Sequence, residues 1–257
     1  MKHNILLAFT FAKRDFKERY VGMGLGQFWF ILHPIIMITI YTILFAGLMQ
    51  LKHDVTNNAY AYSVYIVPGI IAWTAFSTIV NRQHSIFTAR AGLIKKINVP
   101  AYTYQLSIII TEFAIFLLSM VLGILFLIIV DYPLSWNFLW LLPIMVLQVM
   151  FAFGFGVILS LFSPFIKDLK VVVPIVLQLW FWLTPIIYMK EITGTKYPWI
   201  LTYNPFYQYV HLYQDIFVYS KAPTIQSLVT ITIISVVTLT VAGYLYKKMV
   251  GTIKDII

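Results

Sequence analysis

Long apolar runs separated by short polar segments dominate the sequence. An α-helix needs ~20 mostly apolar residues to cross the hydrocarbon core of a bilayer, so each run is a candidate span. The runs occupy residues 28–51, 60–80, 103–130, 138–163, 171–189 and 226–246. This pattern predicts an all-α integral membrane protein, in which a bundle of six transmembrane helices over 28–246 belongs to a single domain covering residues 1–257.

The segment before the first run is amphipathic rather than uniformly apolar. Apolar residues recur there at steps of three and four, at Ile5, Phe9, Ala12, Phe16 and Tyr20. This spacing places them on one face of a helix over 3–20. Asp15 stands four residues before Arg19, a spacing that favours an ion pair along a helix. Residues 1–22 are therefore predicted to form a cytoplasmic helix that lies in the membrane interface.

Two connecting segments carry further signals. Three glycines stand where the chain enters the membrane and predict a tight turn there, at Gly22, Gly24 and Gly26. The segment 81–102 is long and basic, and Phe87, Ala91 and Ile94 share one face of a short helix predicted within 83–98. This amphipathic helix is interpreted either as a docking surface for a partner protein or as a passive connector.

The segment 190–225 is rich in aromatic rings and broken by prolines. Nine rings fall within residues 196–219, whereas the chain average of 17% gives about four. The segment is too interrupted to span, and a re-entrant pair of short helices at the outer face is predicted. Aromatic faces stack on the apolar faces of sugars, and they also anchor helices at a lipid surface. Both interpretations are open at this point.

Composition and charge narrow the class of protein. The chain is 61% hydrophobic and 11% charged, against about 25% charged in soluble domains, and it contains no cysteine. Of its 18 lysines and arginines, 14 lie in the N-terminus, the second and fourth loops and the tail. By the positive-inside rule both termini are cytoplasmic. The net charge of +9 therefore indicates topology and attraction to anionic lipid, and no nucleic-acid partner is predicted.

The sequence offers little chemistry of its own. It contains no phosphate loop, so ATP hydrolysis is not expected on this chain, and the five scattered histidines do not predict a metal site. Glu112 lies deep in the third run, where a carboxylate is costly. It is either satisfied by a hydrogen bond between helices or directly functional. A basic entrance, an aromatic outer segment and no energy source predict the membrane half of an exporter driven by another subunit, not an enzyme.

Three blocks of residues, in order, carry a resemblance to a known family. The first comprises residues 14–20, Leu25-Gly26, Trp29 and His33-Pro34; the second comprises 68–73, Asn81, 93–97 and Pro100; the third comprises 167–170, 185–188 and 204–206. Together they resemble the permease subunits of ABC type-2 polysaccharide exporters, which move O-antigen, capsule and teichoic acid chains. Two positions depart from the family pattern: Lys167 replaces the usual arginine of an Arg-Asp pair, and Gln214 stands where arginine is frequent.

The resemblance implies an assembly and a set of roles. It implies a homodimer in the bacterial cytoplasmic (inner) membrane, paired with two ATP-binding cassette subunits that hold ATP and magnesium, with no cofactor on this chain. The substrate would be a lipid-linked polysaccharide that crosses a pore between the two copies. The loop at Leu25 and Gly26 would handle the lipid headgroup. The helix within 83–98 would dock the ATPase, with contacts expected from Phe87, Arg90, Leu93, Lys95 and Lys96.

Two hypotheses assign residues to the substrate. Some aromatic residues of spans one and five are expected to face the sugar path: Tyr41, Phe45, Trp180, Phe181, Trp182 and Tyr188. Others are expected at the outer mouth: Tyr197, Trp199, Tyr203, Phe206 and Tyr207. Arg14 and Arg19 are expected to engage the anionic anchor or inner-leaflet lipid through charge-assisted contacts.

Three alternative functions stay open at this stage. The first is a permease of the same class for a non-glycan lipid or a drug. The second is a membrane-embedded enzyme that acts on polyprenyl-linked sugars. The third is a proton-coupled carrier, which depends on Glu112 alone.

Overall fold

A computed structural model of the chain describes residues 2–19, 21–48, 60–96, 99–188 and 196–256, and every regular element in these ranges is a helix. The first half contains α1 (Lys2–Glu18), a 3₁₀ turn (Gly26–Phe28), α2 (Trp29–Leu48), α3 (Ala61–His84), α4 (Ile86–Ala89), α5 (Ala91–Lys96) and α6 (Tyr102–Ile129). The second half contains a 3₁₀ turn (Trp136–Trp140), α7 (Leu141–Phe162), α8 (Leu169–Trp182), α9 (Pro198–Tyr203), α10 (Tyr207–Tyr219) and α11 (Ile225–Ile256). The all-α prediction is confirmed.

Four of these helices are long and apolar enough to cross a membrane. They are α3, α6, α7 together with the turn before it, and α11. Helices α2 and α8 are also apolar, but the apolar segments considered, Trp29–Leu44 and Leu169–Trp182, are shorter. The 14 residues of α8 rise only ~21 Å, which is less than the ~30 Å of a hydrocarbon core. Length and composition thus support four spanning helices in the described part of the chain.

Helix α3 lies at the centre of the bundle. It contacts α2, α6, α7, α8 and α10, while α11 packs mainly along α7. In consequence 83% of the spanning segment of α3 is buried, against 17% of that of α11. Apolar side chains remain exposed on α11 and α8. Lipid tails are as apolar as leucine, so a membrane protein has no need to hide such residues.

Small residues let α7 approach its neighbours closely. A Cβ atom at Gly156 would lie 2.6 Å from the Cβ of Gln83 on α3, and one at Gly154 would lie 2.9 Å from the backbone of Thr238 on α11. The Ser160 hydroxyl accepts a 3.0 Å hydrogen bond from Gln105. Ala152, Gly156 and Ser160 are small residues spaced by four along α7, a spacing that permits such close approach of helices.

The breaks between helices follow glycine and proline. Gly22 and Gly26 adopt positive φ angles of 84° and 49°, a left-handed conformation that glycine adopts without strain. They form the predicted turn between α1 and α2. Pro34 and Pro174 lie inside helices, whereas α8 ends at Trp182, before Pro185.

The structure adds detail to two predicted helices. The packed face of α1 is formed by Ala8 and Ala12, which are buried, while Phe9 of the predicted stripe is 56% exposed. Alanines fit the groove because α1 lies close against α6, and the Thr111 hydroxyl reaches the Ala12 carbonyl at 3.3 Å. The single helix predicted within 83–98 is instead two short helices, α4 and α5, separated by a turn at Arg90.

Candidate functional site

Charged side chains from distant parts of the sequence meet near the end of α3. We call this group the ion cluster, and its members are Asp15, Arg19, Arg82, Arg90 and Glu112. They come from α1 and the residue after it, from α3, from the turn between α4 and α5, and from α6. The cluster therefore joins four separate segments of the fold through charged groups.

Glu112 is the most deeply buried member of the ion cluster. Its side chain is 3% exposed, and its Oε1 atom accepts hydrogen bonds from Arg82 Nη1 at 2.5 Å and Arg19 Nη1 at 2.8 Å. An isolated buried carboxylate is costly, but two guanidinium groups compensate its charge. The expectation of a partnered Glu112 is met by ion pairs. The carrier alternative depended on this residue as a proton site, and the paired geometry gives it no support.

Arg82 is the branch point of the cluster. Its Nη2 atom donates to both carboxylate oxygens of Asp15, at 2.6 and 2.7 Å, while Nη1 is bound to Glu112. The planar fork of arginine suits this double contact. Arg90 Nη2 lies 3.8 Å from Asp15 Oδ1. Three arginines face two carboxylates, so the cluster carries one net positive charge.

The residues predicted to bind a lipid headgroup do not stand as free cations. Arg14 is exposed and its Nε atom donates to Glu18 at 2.5 Å, a hydrogen bond that raises the pKa of Arg14. Arg19 belongs to the ion cluster, as described above. Leu25 is 51% exposed and Gly26 forms the turn before α2. Headgroup binding by these residues stays a prediction.

Two cavities flank the ion cluster. One of about 350 Å³ lies between α2, α3 and α6; Arg19 and Glu112 line it together with apolar side chains such as Ile38 and Phe116. Tyr41, which was predicted to face the sugar path, also lines this cavity. The other, of about 220 Å³, is lined by residues of α1, the end of α3, the α4–α5 segment and the start of α6. The cluster thus separates an apolar cavity from a polar one.

A second group of residues, the aromatic hub, lies where α8 ends. Its rings come from α3, α7, α8 and the start of α10, and they are Trp73, Phe76, Phe151, Phe155, Trp180, Phe181, Phe206 and Tyr209. Phe206 packs edge-on against Trp73 at 5.0 Å between ring centroids, and Phe76 packs edge-on against Trp180 at 5.3 Å. Such edge contacts stabilise aromatic pairs beyond their burial.

Asn204 ties the aromatic hub together. Its Oδ1 atom accepts hydrogen bonds from Trp180 Nε1 at 2.9 Å and from the backbone N–H groups of Phe206 and Tyr207, at 3.1 and 3.2 Å. Its Nδ2 atom donates to the Thr184 hydroxyl at 2.9 Å. One side chain therefore fixes the end of α8 to the start of α10. In the sequence, Asn204 was noted only as part of the block 204–206. Its position before Pro205 is the local feature that indicates a turn.

The predicted aromatic residues divide into two environments. Trp180 and Phe181 are half-buried in the hub, whereas Trp182 is 57% exposed and its carbonyl accepts from the Tyr188 hydroxyl at 2.7 Å. Of the outer group, Phe206 and Tyr207 are buried, and three rings are exposed, at Tyr197, Trp199 and Tyr203. The side chain of Phe45 lies outside the described residues. Contact of these rings with sugar stays a prediction.

The residues predicted to dock the ATPase also lie in different environments. Phe87 is fully buried and Leu93 is half-buried, while Arg90 belongs to the ion cluster. The side chains of Lys95 and Lys96 lie outside the described residues. Exposed positions in this segment are Thr88, Ala89 and Gly92. A partner that docks here would contact this ridge, and the buried Phe87 would hold the segment in place.

Comparison with known proteins identifies the family. Residues 7–218 match the family model described as ABC-2 type transporter, and the chain belongs to that family. Two relatives from Klebsiella pneumoniae, both named O-antigen export system permease protein RfbA, are 29% and 30% identical over 84% of this chain and 83% of their own length. A protein of the same name from Myxococcus xanthus is 28% identical over 94% of this chain and 92% of its own. The chain is therefore a membrane permease homologous to O-antigen export permeases.

Proposed function

We propose that this chain is the channel-forming subunit of an ATP-driven exporter that moves lipid-linked polysaccharide across the bacterial cytoplasmic membrane. The observation that carries the proposal is the similarity to O-antigen export permeases, which extends over 83% to 92% of their length. Because the sequence has no phosphate loop, ATP is hydrolysed on a separate ATP-binding cassette subunit. Two copies of each subunit form the exporter, and both termini of this chain are cytoplasmic.

The proposal includes a broken fifth span. Helix α8 ends in the aromatic hub, and the chain continues without helix to Ile187 and Tyr188. The carbonyls of these two residues accept from the hydroxyls of Tyr62 and Tyr65, near the start of α3. Residues 169–188 thus run from the end of α7 to the opposite end of the bundle. Non-helical backbone at membrane depth is tolerated where protein surrounds it, which supports six crossings.

The contacts of α9 and α10 support a re-entrant pair of helices. Phe206, between them, packs on Trp73 and Phe76 in the second half of α3. At the other end of α10, the Val218 carbonyl accepts from the Tyr132 hydroxyl, just beyond α6, at 2.8 Å. The pair therefore enters as far as the hub and returns to the outer end of the bundle.

The exposed rings of α9 and the residue before it give the sugar a surface to follow. Tyr197, Trp199 and Tyr203 are each more than half exposed. Stacking on a ring contributes ~0.5–1.5 kcal/mol, by analogy with aromatic pairs. Contacts of this strength hold a sugar briefly and release it, and they tolerate different sugars. A long glycan can therefore slide along them while the partner subunit supplies the force.

Transport in vesicles tests the proposal. We expect inverted vesicles that contain this chain and its ATPase subunit to accumulate a polyprenyl-diphosphate-linked oligosaccharide when ATP is added. Vesicles with either subunit alone should accumulate none. Sustained transport by this chain alone would overturn the proposal. Transport of a phospholipid analogue in place of the oligosaccharide would favour the non-glycan permease.

A ring-deletion variant separates sugar contact from membrane anchoring. The triple change Tyr197→Ala, Trp199→Ala and Tyr203→Ala should abolish oligosaccharide transport while the complex still assembles. Trp136→Ala is the matched control, because Trp136 is 88% exposed and its turn contacts the end of α10 through Asn137. If both variants reduced transport equally, the rings would act as lipid anchors and not as a sugar path.

A further inference from the structure

The ion cluster lies between the proposed ATPase-docking segment and the turn that leads into α2. Arg90 separates α4 from α5, and Asp15 links it to Arg82 on α3. Arg19 stands directly after α1 and is bound to Glu112 on α6. Beyond Arg19 the chain turns at Gly22 and Gly26 and enters α2. A connected set of charged contacts thus leads from the docking segment to the first membrane helix.

The docking segment itself is firmly held. Phe87 is fully buried, and Ile86 and Ile94 pack with it against residues of α6, α7 and α11. A force applied to α4 and α5 is therefore transmitted to the bundle and not absorbed by a loose loop. Asp15 and Arg19 attach α1 to this region at two points one helical turn apart. Two attachments restrain rotation of α1, which a single contact cannot do.

The surroundings of the cluster allow it to move as a unit. The cavities of about 350 and 220 Å³ lie on either side of it. Separating Glu112 from both arginines would leave a buried charge uncompensated, which is strongly unfavourable. Displacement of the whole cluster into the neighbouring space avoids that cost. The cluster therefore resists being pulled apart and has room to shift.

From these observations we infer that Asp15, Arg82 and Glu112 are positioning residues that couple ATP hydrolysis on the docked partner to movement of α1 and α2. The inference rests on the proposed function, because it requires an ATPase bound at α4 and α5. The residues act through one another and touch neither ATP nor the glycan. Their loss should uncouple the exporter, so that ATP is still hydrolysed but less substrate moves per ATP.

The ratio of oligosaccharide transported to ATP hydrolysed is the decisive measurement. Asp15→Asn and Glu112→Gln, which remove charge but keep shape, should lower this ratio about tenfold in the assembled complex, since each removes one of the two carboxylates that Arg82 links. The double variant Asp15→Asn with Arg82→Gln should lose no more than the worse single variant, because both changes break the same link. The control Lys247→Gln, which removes an exposed charge on α11 outside the ion cluster, should leave the ratio unchanged.

Arg82→Lys keeps the test informative if Glu112→Gln fails to assemble. A lysine retains the charge but cannot bind Asp15 and Glu112 through a planar fork, so the complex should assemble and the ratio should still fall. An unchanged ratio in assembled Asp15→Asn and Arg82→Lys complexes would overturn the inference. An equal loss in the Lys247→Gln control would do the same.

A second readout does not depend on the substrate. The chain contains no cysteine, so Leu6→Cys on the exposed face of α1 can carry one environment-sensitive fluorophore in each copy of the chain. ATP should shift its emission in the otherwise unaltered complex, and the shift should disappear with Asp15→Asn. If the unaltered complex shows this shift but moves no oligosaccharide, the proposed substrate is wrong. If it transports and Asp15→Asn shifts normally, the coupling is wrong.

Discussion

The ion cluster and the aromatic hub both hold helices together, but by different physical means. In the ion cluster a few directional contacts join residues 67 and 93 positions apart in the sequence. In the hub many ring contacts hold the helices together, and Asn204 adds directional hydrogen bonds. Charged contacts in a poorly hydrated region fail sharply when one partner is lost, whereas ring packing weakens in steps. The comparison indicates a linkage at the end of α3 and a scaffold near its middle.

The packing around the ion cluster and around the aromatic hub agrees with these two roles. The ion cluster has a cavity on both sides, so its helices are not packed solidly around it. The hub is continuous with the main core, and Phe76 and Phe206 are fully buried in it. Dense packing resists displacement because side chains interdigitate. Movement during transport is therefore expected at the ion cluster, while the hub keeps α8, α9 and α10 in register.

The largest effect should come from Glu112→Ala. This change leaves Arg19 and Arg82 without their shared carboxylate and should destabilise the folded chain by ~3–5 kcal/mol. The midpoint of thermal unfolding in detergent is the measurement. Phe151→Leu in the hub is the comparison variant and should cost less, because the neighbouring rings can repack around leucine. A smaller loss from Glu112→Ala than from Phe151→Leu would reverse the proposed contrast.

The next largest loss of stability is expected from replacing closely packed glycines beside the ion cluster and the aromatic hub. Gly156→Ala should destabilise by ~1–3 kcal/mol, because its Cβ would overlap Gln83 next to Arg82. Gly69→Ala, near the hub, should cost less, since the side-chain methyl of Ile186 is 3.0 Å away and can move. Gly243→Ala is the control, with no atom within 4 Å, and should be neutral or stabilising. If the unfolding midpoints did not follow this order, the space around each added Cβ atom would not determine stability at these three glycines.

Much of the fold was predictable because the hydrophobic pattern reports on the bilayer. Helices α3 and α6 lie within a few residues of the predicted spans. The same physics explains why the apolar stripe of α1 does not coincide with its packed face. In a membrane protein a large apolar residue such as Phe9 can face outward, and alanines mark the packed face because they permit close approach. Apolar periodicity therefore locates a helix but does not identify the side that packs.

The sites were less predictable because their partners are distant in sequence. An acid within an apolar run singled out Glu112, but nothing local identified Arg19 and Arg82 as its partners. The spacing of Asp15 and Arg19 favoured a pair along α1, yet Asp15 accepts two hydrogen bonds from Arg82 on α3. The density of rings over 196–219 marked that segment. It did not separate the buried Phe206 from the exposed Tyr203, because that division depends on how α9 and α10 enter the bundle.

A smaller loss of stability is expected when the hydrogen bonds of Asn204 in the aromatic hub are removed. Asn204→Ala removes the acceptor for Trp180 and for two backbone N–H groups at the start of α10. It should destabilise by ~0.5–2 kcal/mol, as the loss of a helix-terminal side-chain bond does. Tryptophan fluorescence should also shift as the Trp180 indole loses its partner. Asn204→Asp is the matched variant; it keeps the acceptor oxygen, loses the bond to Thr184, and should retain the Trp180 signal. A fluorescence shift as large in Asn204→Asp would show that the bond to Thr184 fixes the indole.

The smallest loss of stability is expected from breaking the exposed ion pair of α1. Comparing this pair with the buried contacts of Glu112 shows how much burial contributes. Arg14 and Glu18 are bound at 2.5 Å, as short as the Arg82–Glu112 contact, but their side chains are 67% and 44% exposed. Water and salt screen such a pair, and water solvates either partner once the other is removed. Arg14→Gln should therefore cause no measurable change in the unfolding midpoint, at low or high salt. A loss comparable to that of Glu112→Ala would mean that distance and not burial sets the strength of these contacts. It would also remove the physical basis for treating the ion cluster as a linkage.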